Sequence, residues 1–108
     1  MTTAAFLDGS KTVTRRRGWL SLRRGTKLMA VEKAQGLKRG EAVVRLGALE
    51  VLHVRREPLA AIRDEVLGTA LEGFPLLSSD EFVALFCEAQ GCDESTLVTR
   101  IEFRRCLA

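Results

Sequence analysis

AVVRLGALEVLHVRREPL, residues 42–59, decides how the chain is read. Valine and leucine dominate it, and it carries no run of turn formers. Ala42 to Arg56 reads as one long strand, or as two short strands bent at Gly47. Pro58, which has no N–H to lose, is suited to open a helix. Leu59, Ile62, Val66, Leu67, Ala70 and Leu71 then recur at helical spacing, and Gly73 sits where that helix would stop. Ser78-Ser79-Asp80-Glu81 is a capping box that starts a second helix. Phe82, Leu85, Phe86 and Ala89 form its expected buried stripe, and Gly91 with Asp93-Glu94-Ser95 closes it. Leu97, Thr99, Ile101 and Phe103 alternate with Val98, Arg100, Glu102 and Arg104, which predicts a half-buried strand with one clean apolar face. Upstream, Lys27–Glu32 reads as a short strand, residues 36–40 (GLKRG) as a turn, and residues 4–8 as too short to form much alone. Strands towards both ends with two helices between them predict an α+β fold, a small curled sheet or barrel.

The chain has 108 residues, 46% of them hydrophobic and 29% charged. That is the composition of one globular domain with a sizeable core, and residues 1–108 read as a single unit. No apolar run is long enough to span a membrane. The N-terminal MTTAAFLDGSK lacks the basic and apolar regions of a secretory signal, so a cytoplasmic location and no membrane partner are expected. The three cysteines, Cys87, Cys92 and Cys106, lack the paired spacing of a zinc site, and His53 is the single histidine. Reduced thiols, no metal and no cofactor are expected.

Charge is unevenly spread. Lys11, Arg15, Arg16, Arg17, Arg23, Arg24 and Lys27 fall between Gly9 and Val31 with no acid among them. Net charge is +3, so those seven cations leave the rest of the chain at −4. A basic third on an otherwise acidic domain suits an anionic partner such as RNA, although a charge run also serves as a plain solvated face.

The order of residues inside that run is specific. Gly9-Ser10-Lys11-Thr12-Val13-Thr14-Arg15-Arg16 has the form G-x-K-x-x-T-x-R and resembles the signature of the ASCH domain family, a branch of the PUA-like folds. RLGALEVLHVRREPL (45–59), ALEGF (70–74), SSDEFVALF (78–86) and VTRIEF (98–103) are similar, in the same order, to later landmarks of short bacterial and phage members. The resemblance covers roughly residues 6 to 104. It implies a small PUA-like β-barrel with flanking helices and a basic cleft that binds RNA or a nucleoside. Some members are amidohydrolases that remove the acyl group from N4-acetylcytidine. Carried over by motif, their catalytic residues fall on Lys11 and Thr14, and on Glu72 through ALEGF, while Arg16 falls on the motif's arginine. Gly9, Arg15, Arg16, Arg17 and Trp19 are candidates for binding nucleic acid or substrate, and Arg23 and Arg24 either extend a phosphate-binding track or solvate a loop. The chain departs from the family in one respect. Members usually carry a strand and a helix before the motif glycine, and here eight residues precede Gly9. Either the N-terminus is truncated or another chain supplies the missing edge, and a homo-oligomer through that edge is the corresponding partner expectation.

The chemistry sets conditions. In an amidohydrolase Thr14 would be the nucleophile and Lys11 its base, which requires the lysine to lose its proton through burial and the repulsion of neighbouring arginines. Glu72 would orient water or protonate the leaving amine, and Arg16 or a backbone N–H of the Gly9 turn would hold the oxyanion. Residues three apart on a regular strand face opposite ways, so convergence of Lys11 and Thr14 predicts non-strand geometry at Lys11 to Val13. Trp19 reads as a core or half-buried anchor, or as a platform for stacking a base. His53 reads as a core histidine bonded to backbone. Arg55 and Arg56 should face opposite sides of their strand. Three function classes follow: an RNA- or nucleoside-binding module, an N4-acylcytidine amidohydrolase, and a non-catalytic interaction module.

Overall fold

Two register shifts let one long strand curl without breaking. In the computed structural model, which describes residues 3–32 and 44–106, strand β3 runs unbroken from Arg45 to Pro58. The expected bend at Gly47 is a bulge: Ala30 pairs with Gly47 but Val31 with Arg45. Gly47 takes φ 148°, with the ring of Phe6 3.6 Å from where a Cβ would stand. A second shift lies between Val51 and His53. Such bulges bend a strand and tighten its twist.

The other strands assemble around β3. β1 (Val13–Arg16), β2 (Lys27–Val31) and β4 (Leu97–Arg105) complete a curled four-stranded antiparallel sheet in the order β1-β4-β3-β2. α1 (Thr3–Asp8) precedes β1. A 3₁₀ helix (Leu59–Asp64), the single turn α2 (Gly68–Leu71) and α3 (Ser79–Gln90) connect β3 to β4. The α+β class and barrel-like curl therefore agree with the sequence reading, with β1 and β2 as edges among the described residues. The turn expected at 36–40 lies outside the described residues. No helix among the described residues is long and apolar enough to cross a membrane.

The sheet has a core on each face. On one face Phe6, Ala30, Leu49, Val51, Ile101 and Phe103 pack together. On the other, Leu59, Ile62, Phe82, Val83 and Val98 do so. β4 lies between β1 and β3 and is covered on both sides, so its single clean face is corrected: Val98 and Arg100 are as buried as Ile101 and Phe103. The bulge beside His53 turns that residue outward, and the expected core histidine is exposed.

The longest departure is the helix expected from Leu59 to Leu71. Its first part is 3₁₀ and stops at Asp64. Glu65 is extended, and Leu67 adopts φ 59° before α2 begins. Val66 and Leu67, read as part of an apolar stripe, are 84% and 69% exposed. The break directs Glu65 inward to Arg15 and Arg100. A tertiary ion pair thus overrides local periodicity. α3 forms as expected, with both capping-box hydrogen bonds made and Gly91 left-handed at its end. Its stripe is shifted, however. Phe82 and Val83 are buried, Phe86 is half-buried, and Leu85 and Ala89 are exposed.

Gly68 marks the tightest packing in this connection. An added Cβ would stand 2.9 Å from Ile62 Cγ1 and 3.1 Å from the Ile62 carbonyl, and Ile62 is fully buried. Overpacking of this kind costs about 1–3 kcal/mol. Gly68→Ala is expected to lower stability by that amount, read as a lower urea midpoint at unchanged m-value.

Candidate functional site

The motif segment is held by backbone hydrogen bonds before any side chain acts. Gly9, at φ 85°, ends α1, and the Ser10 N–H donates to Asp8 Oδ1 at 2.7 Å. Lys11 N–H then donates to the Ala5 carbonyl at 3.0 Å, and Thr12 N–H to the Leu71 carbonyl at 3.0 Å. The Thr12 carbonyl accepts from Phe103 N–H at 2.9 Å. Lys11 and Thr12 are therefore non-strand, whereas Val13, also expected to be non-strand, already begins β1. The bond to Leu71 brings the segment beside Glu72.

Lys11 and Glu72 consequently meet in the interior. Lys11 is 4% and Glu72 3% exposed. Lys11 Nζ donates to the Glu72 carbonyl at 2.6 Å, to the Val13 carbonyl at 3.0 Å and to Glu72 Oε1 at 3.5 Å. These three acceptors engage all three ammonium hydrogens. Burial pushes the Lys11 ammonium below its ordinary value. Glu72 opposes that shift, while Arg16 and Arg15 reinforce it.

Arg15 continues the cluster on the same side. Fully buried, it donates through Nη1 to Glu72 Oε2 at 2.9 Å, and through Nη2 to Glu65, with Glu57 Oε2 3.6 Å away. Glu65 also accepts from Arg100. Burial alone would raise the Glu65 carboxyl, but hydrogen bonds from Arg100 and Arg15 outweigh it and hold the group below its ordinary value. Arg55 reaches Glu57 Oε1 at 2.6 Å. Arg56 turns the opposite way, as strand alternation requires, to Thr99 Oγ1 at 2.8 Å. Two of the seven clustered cations thus leave the surface, neutralised by glutamates far downstream. The basic third of the sequence therefore presents fewer cations at the surface than its count suggests. Glu57, Glu65 and Arg100 were not singled out in the sequence, where nothing local distinguishes them from solvated charges.

Thr14 projects from the other face of β1. It lines a pocket of about 290 Å³ whose walls include Leu28, Ala30, Leu49 and Ile101 and whose border includes Trp19 and Arg16. Lys11 and Glu72 instead line a pocket of about 360 Å³ between β1 and α3. The three residues expected to form one centre are therefore divided: Lys11 pairs with Glu72, and Thr14 opens on a different cavity. Arg16 lines both. The Thr14 hydroxyl is buried and has no hydrogen-bond partner in the protein.

Trp19 is 48% exposed and has φ 58°, a conformation that is an outlier for a bulky residue. Its neighbour Gly18 is also left-handed. The Gly18 carbonyl accepts from Thr99 Oγ1 at 2.5 Å and from Arg56 Nη1 at 3.3 Å, which secures the turn beneath the indole. Arg17 is exposed and donates to the Gln90 carbonyl at 2.9 Å, at the negative end of α3. Arg23 and Arg24 are exposed in the turn before β2. Gly9 lines neither pocket and serves the chain reversal. The three thiols are free and partly buried.

The depressed Glu65 carboxyl has a consequence for acid stability. Its contribution is complete above the unfolded-state value and is lost as pH falls through the lower folded value. Wild type is expected to lose stability more steeply below about pH 5 than Glu65→Gln, measured by denaturant titration at stepped pH.

A scan against protein-family models finds no match to the chain, and searches of curated proteins and of solved structures find none either.

Proposed function

We propose that the chain is an ASCH-type, PUA-like domain that binds RNA or a modified nucleoside, with a base entering the pocket beside Thr14. The single observation that carries this reading is Thr14, which lines a largely apolar pocket and whose buried hydroxyl has no hydrogen-bond partner in the protein. A buried hydroxyl without a partner costs about 1–3 kcal/mol, and a base edge would satisfy it. The surroundings suit such a ligand. Apolar walls accept a flat ring, Trp19 offers a stacking face at the border, and Arg16 supplies donors. Backbone strain held at Trp19 supports the same reading, since such outliers concentrate at functional sites. Exposed Arg23 and Arg24 are available to phosphates of a longer strand.

Trp19 is the single tryptophan and the chain has no tyrosine, so intrinsic fluorescence reports on this pocket directly. Titration with cytidine, N4-acetylcytidine and a single-stranded RNA oligomer is expected to quench it. RNA affinity should fall steeply with salt and nucleoside affinity should not. Thr14→Val is expected to weaken nucleoside binding about tenfold, the net worth of a hydrogen bond. Absence of quenching and of calorimetric heat with every ligand would reject the reading.

The amidohydrolase reading has one observation in its favour, the buried contact of Lys11 with Glu72. Against it, the lysine is saturated with acceptors and Thr14 lines another cavity. Incubation with N4-acetylcytidine is therefore expected to release no cytidine. Release that disappears in both Lys11→Ala and Thr14→Ala would reverse this order of preference.

A further inference from the structure

The pocket between β1 and α3 has a composition that a nucleoside site does not explain. One end carries Lys11, Arg15, Arg16 and Glu72, and the other is walled by apolar side chains that include Phe74, Phe82, Leu85 and Phe86. Leu85 and Phe74 are 53% and 37% exposed, so the apolar wall is open to a ligand. Phe82 lies between the other two rings, tilted against each, with its centroid 5.9 Å from that of Phe74 and 6.2 Å from that of Phe86. The wall is therefore a run of aromatic side chains.

The cationic end is not uniformly available. Lys11 spends its three hydrogens on Glu72 and Val13, and both terminal nitrogens of Arg15 are held by glutamates. Arg16 differs. It is partly buried, yet among the described residues its guanidinium makes one hydrogen bond, from Nη1 to the Arg15 carbonyl at 3.1 Å. A guanidinium has five N–H donors, so the Nε–Nη2 edge is left unused. Burial pushes its ionisation down, with Glu72 opposing. A desolvated cation with idle donors beside an aromatic wall is costly unless an anion completes it.

We infer that this pocket binds a small monocarboxylate with an aryl or short acyl body, its carboxylate forked on Arg16 and its body lying on Phe86 and Leu85. Carboxylate is preferred to phosphate for two reasons. A planar monoanion matches one free guanidinium edge in bidentate fashion, and a phosphate dianion would need donors that Lys11 and Arg15 have already committed. The inference does not rest on the nucleoside reading, because the two pockets share Arg16 alone.

The test is titration of ¹⁵N-labelled protein with 3-phenylpropionate, alongside 3-phenylpropanamide, which keeps the body without the charge, and acetate, which keeps the charge without the body. Saturable shifts are expected at Arg16, Leu85, Phe86 and Ala89, with at least tenfold weaker binding by both controls. Arg16→Gln and Leu85→Asp should each weaken 3-phenylpropionate binding at least tenfold, and Leu85 is exposed enough for the substitution to leave the fold intact. Thr14→Val should leave it unchanged while weakening nucleoside binding about tenfold, which separates failure at one pocket from failure at the other. The inference is overturned by equal binding of the amide or of acetate, by shifts confined to Trp19 and Met29, or by no saturable shift in a protein whose spectrum is folded.

Discussion

Arg15 is a fully buried guanidinium at the middle of an edge strand, and three glutamates from separate parts of the chain converge on it. Glu57 comes from β3, Glu65 from the break after the 3₁₀ helix, and Glu72 from the end of α2. A charge so placed is tolerable only when its partners arrive with good geometry, and losing one partner leaves the rest uncompensated. The connection between β3 and β4 is shaped by that demand. The helix stops at Asp64, Leu67 turns left-handed, and Gly68 abuts Ile62. The same constraint presents Glu72 to Lys11 and fixes the floor of the pocket against α3.

β1 is thus a partition. Its two faces carry different chemistry, Val13 and Arg15 towards the ion cluster and Thr14 towards the sheet-side cavity. Only Arg16, at the strand's end, lines both pockets. The motif that looks like one functional unit in the sequence is divided by the alternation of a four-residue strand.

Much of the fold was legible because its signals are local. The capping box at Ser78, the left-handed Gly91 and the valine-rich run of β3 each state their structure within a few residues. The misreadings share one cause. Periodicity from Leu59 to Leu71 is a helical signal, but it cannot register that Glu65 is needed 50 residues away at Arg15. Alternation along β4 reports two faces without saying that both are covered. His53 lies beside a bulge whose position follows from pairing with β4. Within the candidate site, Lys11 and Glu72 meet across a separation of 61 residues, which no local signal reports. The separation of Thr14 follows from where β1 begins, a boundary that spacing alone does not specify.

Strand order carries one more consequence. Among the described residues β1 pairs with β4 alone, Val13 opposite Glu102 and Arg16 opposite Thr99, so the first of these strands waits for the last. Ordering it means closing a loop of most of the described chain, a late and slow event in folding. During synthesis, residues 27–58 can already pair as β2 and β3, while the segment bearing Lys11, Thr14 and Arg16 has no sheet to join. Both pockets therefore come into being only when β4 has emerged. Until then the basic segment is an unpaired, solvated strand, and any ligand selectivity belongs to the finished domain alone.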